Sequence, residues 1–155
     1  MLQRIQTIWL FFATAAIFSL FLFPIIQVLD VNGAAKVMKV TGLYEHTGGQ
    51  VVQNQAFLLL TVATVILALI PFVAIFLYRN RPKQILVCYA AIVAIVAYCF
   101  WLAQTAKQVF TGIALKIDNY GIGILLPSLA ILFMMLAIKG IRKDEKLIKS
   151  ADRLR

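Results

Sequence analysis

Four stretches of the chain are apolar and contain no Asp, Glu, Lys, Arg or His: 8–28, 56–78, 85–102 and 122–138. Each approaches the roughly 20 residues of helix that a hydrocarbon core about 30 Å thick requires. The pattern predicts an all-α membrane protein, a four-transmembrane-helix bundle. Outer loops run over 29–55 and 103–121, and a tail follows over 139–155. The first stretch is longer than the 7–15 apolar residues of a signal-peptide core, and bulky Val28-Leu29-Asp30-Val31 follows it instead of small residues. It is therefore expected to remain as a helix.

Between the stretches the periodicity changes. Val37, Lys39 and Thr41 alternate with Met38, Val40 and Gly42, and Leu43-Tyr44 continue the run. Gly48-Gly49 interrupt it, and Gln50-Val51-Val52-Gln53 follow. β-Branched residues on both sides of a glycine pair predict a hairpin. Val109 to Ile117 in the second outer loop is also strand-like. A lone hairpin is marginal in water, so the second loop is expected to supply a third strand to a small extracytoplasmic β-element. The short link Tyr78-Arg79-Asn80-Arg81-Pro82-Lys83 makes the second and third spans an antiparallel pair, with Pro82 suited to the turn.

Composition agrees with the pattern. The chain of 155 residues is 63% hydrophobic and 14% charged, against about 45–50% and 25% in soluble domains. That excludes a soluble globular domain and a disordered chain. The formal charge of +9 would otherwise point to nucleic acid, but its distribution reads as topology. Arg4, the 79–83 link and the tail hold eleven of the fifteen basic residues, while Lys36, Lys39, Lys107 and Lys116 lie on the other side. Both termini are thus predicted to be cytoplasmic. DNA is not among the expected partners.

The spans offer little chemistry. Cys88 and Cys99 lie about 16 Å apart along one helix, too far for an intrachain disulfide. His46, beside Tyr44-Glu45, lacks the further ligands of a metal site. Ion transport normally places ionisable groups within the spans. Neither a nucleophile with an adjacent base nor a phosphate loop is present, so no enzyme and no cofactor are predicted. Ala90, Ala94 and Ala97 form a small-residue stripe for close helix approach. Pro24, Pro71 and Pro127 fall near span ends and predict local bends.

The tail carries the clearest signal. At helical spacing, Ile141, Leu147, Ile148, Ala151 and Leu154 share one stripe. Lys139, Arg142, Lys143, Lys146, Lys149 and Arg153 share the roughly opposite one. This basic face is the candidate site for a partner or for anionic lipid. Gly140 offers a bend that would lay the tail on the membrane. Contact with ribosomal RNA suits the same face.

Two segments carry a resemblance. The opening Met1-Leu2-Gln3-Arg4-Ile5-Gln6-Thr7-Ile8-Trp9-Leu10 resembles that of a four-span family of Bacteroidota known as a domain of unknown function. The end, Ile141-Arg142-Lys143-Asp144-Glu145-Lys146-Leu147-Ile148-Lys149-Ser150-Ala151-Asp152-Arg153-Leu154-Arg155, resembles its tail. The resemblance implies four spans in the inner membrane and assigns no activity. In topology alone the chain also resembles claudin-like tetraspan proteins, without their first-loop Cys and Trp motif. The expectation is a non-enzymatic accessory or structural subunit of an inner-membrane complex, docking through its spans and basic tail. Membrane lipids and a membrane protein are the expected partners, and export or insertion machinery is a candidate class. The alternative is a small oligomeric carrier or binding protein for a lipid or small apolar molecule, with a path lined by residues such as Gln27, Tyr89, Tyr98 and Gln104.

Overall fold

A computed structural model describes residues 3–29, 35–47, 50–111, 113 and 116–153. The chain is mostly helical: α1 (Gln3–Phe18), α2 (Leu58–Phe76), α3 (Arg81–Val109) and α4 (Leu126–Arg153). Strands β1 (Ile26–Leu29), β2 (Ala35–Lys39), β3 (Gly42–Thr47) and β4 (Gln50–Ala56) lie between α1 and α2. They form one antiparallel sheet in the order β1-β2-β3-β4.

The helices pack in a ring, α1 against α2, α2 against α3, α3 against α4 and α4 against α1. α1 buries Leu10, Ala13 and Ile17, spaced so that they share one face. α3 buries Cys88, Ala91, Ile95, Tyr98, Leu102 and Ala106. The Ala90, Ala94 and Ala97 stripe is therefore not the packing face; it is rotated away, with Ala90 and Ala97 exposed. Trp9 on α1 stacks on Phe133 of α4 with ring centroids 5.9 Å apart.

The outward faces are apolar as well. Phe11, Leu59, Leu86, Val93 and Phe100 are all more than half exposed. A helix apolar all round is at home in hydrocarbon and not in water. Among the described residues, Leu58–Arg79, Arg81–Val109 and Ile122–Leu147 are long and apolar enough to cross a membrane. The apolar part of the first helix, Ile5–Phe21, is shorter.

Several expectations are corrected. The first span does not reach residue 28. α1 passes into a 3-10 turn at Ser19–Phe21, and Ile26 begins β1. Pro24 cannot continue a helix, and the Ile25 amide already donates to the Met38 carbonyl at 2.9 Å, opening the sheet ladder. The third helix overruns 85–102 at both ends. Pro82 sits in its first turn, where a missing N–H costs nothing. Pro127 likewise lies in the first turn of α4, which a 3-10 turn at Ile122–Leu125 precedes. Gly140 does not bend the tail: α4 continues through it to Arg153.

The sheet also differs in origin. All four strands come from 26–56, and the second outer loop gives no third strand among its described residues. Val109 ends α3, Ile117–Asn119 is a 3-10 turn, and Tyr120 makes one isolated bridge to Ile26. The run from Val37 to Tyr44 is two strands joined at Val40-Thr41, with Lys39 opposite Gly42. This turn is held by distant groups. The Thr41 carbonyl accepts from the Phe57 amide at 3.0 Å and from Gln53 Nε2 at 3.2 Å. Gly48-Gly49 lie outside the described residues.

The second loop is tied down by its glycines. The Gly121 amide donates to Ile25 O at 2.9 Å and the Gly123 amide to Pro24 O at 3.0 Å. A Cβ at either glycine would lie 2.3 or 2.6 Å from the Pro24 carbonyl oxygen. Asn119 Nδ2 also donates to Gln27 O at 3.1 Å. These contacts put the C-terminus of α3 and the start of α4 beside the sheet, and the α2–α3 turn and the end of α4 at the opposite end.

Candidate functional site

At the end of the bundle away from the sheet, α1, α3 and α4 bring together three buried polar side chains. Gln6 and Asp144 are both buried, and Gln6 Nε2 donates to the Asp144 carboxyl from α1 to α4. Gly140 makes room for this pair, since a Cβ there would lie 3.1 Å from Gln6 Cγ. Gln84 at the start of α3 is buried too and donates to Ala74 O at 2.9 Å, alongside the Leu77 amide that the same carbonyl accepts at the end of α2. Groups buried in this way hold helix ends in register, because each would otherwise lack a partner.

Beside them, α3 and α4 leave a groove of about 820 Å³. Tyr89 forms the α3 wall, Met135 and Ile138 the apolar part of the α4 wall, and Lys139, Arg142, Lys143, Glu145 and Lys146 the polar part. The Arg142 guanidinium carbon lies 5.6 Å from the Tyr89 ring centroid, a cation–π arrangement. Lys139, Arg142, Lys143 and Lys146 are exposed. The structure thus brings four of the six predicted basic residues to one groove. Lys149 and Arg153 lie on the same continuous helix, with side chains outside the described residues.

The tail's apolar stripe differs from expectation. Ile141 is buried, but Leu147 is 48% exposed and Asp144 takes the buried position. Residues 141 and 144 lie one helical turn apart, within about 60° of each other, whereas 147 has rotated well past that face. Ile148, Ala151 and Leu154 lie outside the residues whose side chains are described.

The remaining candidates are dispersed. Gln27 is exposed in β1, Gln104 is exposed on α3, and Tyr89 lies in the basic groove. Tyr98 is buried, its hydroxyl 2.5 Å from Thr64 Oγ1, which itself donates to Leu60 O at 2.7 Å. Of these four, Tyr89 alone lines the groove. A smaller cavity of about 260 Å³ near the sheet is lined by Cys99, Leu102, Ala106, Lys107, Tyr120 and Ile124, among others. Cys88 and Cys99 are free thiols. His46 is exposed on β3, and neighbouring Glu45 accepts a hydrogen bond from Asn54 Nδ2. Among the described residues, no three His, Cys, Asp or Glu side chains are grouped to hold a metal.

Sequence reading found the basic side of the groove and missed its aromatic wall. From the sequence, Tyr89 is a candidate for lining a path between helices and not a partner of the basic tail. The spacing of 135, 138, 139, 142, 143 and 146 along α4 was the available signal for a continuous stripe.

These features define a helical protein with apolar helices long enough to cross a membrane, a small antiparallel sheet at one end and a basic groove at the other. The chain belongs to the family described as a domain of unknown function (DUF4293), whose model matches residues 2–154. No curated protein matches it.

Proposed function

We propose that the chain is a non-enzymatic accessory subunit of a larger inner-membrane complex, docking through its lipid-facing spans and the basic end of α4. The observation that carries this reading is the continuation of α4 beyond its last apolar turn. Residues 139–153 remain helical, which is about 22 Å of helix after Ile138. A continuous, basic helix of that length reaches past the headgroups and offers a surface to an acidic partner. Export or insertion machinery is the candidate class, with ribosomal RNA as a further contact.

The proposed topology has four spans with both termini cytoplasmic. It is supported by the basic residues gathered at one end of the bundle and by the packing of α1 against both α2 and α4. α1 is short for a span, so its ends must lie near the interface or the bilayer must thin locally.

The test is truncation after Leu147. That cut keeps Ile141 and the Gln6–Asp144 contact, so the bundle retains its packing, and it removes the distal arm. Partners that co-purify with the full chain are expected to be lost from the truncated one, while both remain in the membrane. Unchanged co-purification would remove the arm from docking.

A further inference from the structure

The groove between α3 and α4 has a composition that the arm does not share. Its lower wall, Met135 and Ile138, is apolar, and Met135 is 55% exposed. Its upper wall carries four cations against one acid, Glu145. The change from apolar to charged falls between Ile138 and Lys139. In a helix crossing a bilayer that boundary sits at headgroup level, where Lys and Arg stems lie along apolar surface and their charged ends reach outward. The geometry points to a binding site for one anionic glycerophospholipid. Its phosphate meets Lys139, Arg142 and Lys143, and an acyl chain lies along Met135 and the exposed Leu132 one turn deeper.

Three observations favour this occupant. The Arg142 guanidinium already rests on the Tyr89 ring, so less side-chain freedom is lost when it takes an anion. A volume of about 820 Å³ exceeds what a free phosphate needs and suits a headgroup with the start of its chains. An acidic protein segment would match the cations alone, whereas a phospholipid also covers the exposed apolar Met135 and Leu132 with its chain. The site depends only on α4 crossing a bilayer and not on a protein partner, so either proposal can fail without the other.

The test uses the full chain in nanodiscs made of equal parts phosphatidylglycerol and phosphatidylcholine, with retained lipid identified by native mass spectrometry. The wild type is expected to keep phosphatidylglycerol preferentially. The variant K139Q/R142Q should lose that preference, by about fivefold for each charge removed. Lys83→Gln, which removes a charge at the same end but outside the groove, should leave it unchanged. Tyr89→Phe should retain the preference and Tyr89→Ala reduce it, which keeps the test decisive if the double variant does not fold. Absence of preference in the wild type, or equal loss in Lys83→Gln, would overturn the site. Displacement of the lipid by soluble glycerol phosphate would overturn a lipid as its occupant.

Discussion

The Gln6–Asp144 contact allows a prediction with a definite sign. Both residues are buried, at 8% and 6% exposure, and they join positions 138 residues apart. Asp144→Leu keeps the branching of the side chain and leaves the Gln6 amide without its acceptor. A buried polar group left unsatisfied costs about 1–3 kcal/mol, and more for a charged group. Asp144→Leu should therefore cost about 2 kcal/mol, and Gln6→Met, which strands the carboxyl, about 3 kcal/mol. Replacing both partners by apolar groups of similar shape can be nearly neutral. The double variant is thus expected within about 1 kcal/mol of wild type, against about 5 kcal/mol if the single effects added. SDS unfolding in mixed micelles would measure these differences. With Trp101 replaced by Phe, the fluorescence of Trp9, stacked on Phe133 across the same α1–α4 interface, is a local reporter. A double variant as unstable as the sum of the singles would refute the interaction.

Further outcomes follow from other contacts. Gly123→Ala places a Cβ against the Pro24 backbone and should cost about 3 kcal/mol, from overpacking and the loss of a backbone hydrogen bond; wild-type thermal stability in the same detergent would contradict this. Tyr98→Phe should cost about 1 kcal/mol or less, because Thr64 keeps its bond to Leu60 O; a larger loss in SDS unfolding would show that the hydroxyl does more than pair with Thr64. In a C88A/C99A background, cysteines placed at 83 and 150 should react with an impermeant reagent from the same side of the membrane, and one at 36 from the other. Labelling of 83 and 150 from opposite sides would refute the placement of the α2–α3 link and the C-terminal arm on one side.

What was legible in the sequence followed the length of each signal. The runs behind α2, α3 and α4 are long and lack internal charge, so length alone placed them. The end of α1 was harder, because Ile25 to Val28 is as apolar as the helix before it. Only Pro24 distinguishes them, and it competes with an uninterrupted hydrophobic run. The Val40-Thr41 turn has no Gly, Asn or Asp at its centre; Phe57 and Gln53, more than ten residues away, stabilise it. The basic face of α4 could be read from helical spacing, because it lies within one element. Its opposing wall, Tyr89, could not, since it depends on how α3 and α4 pack. Asp144 read as part of a polar tail for the same reason, its partner Gln6 being at the other end of the chain.

The central claim is that this chain works as a subunit of something larger. The most direct measurement is the mass and composition of the particle extracted from its native membrane into lipid nanodiscs without strong detergent. The expected particle is a stoichiometric assembly containing at least one other protein, whose retention depends on the helix beyond Leu147. A particle containing only this chain and lipid would contradict it.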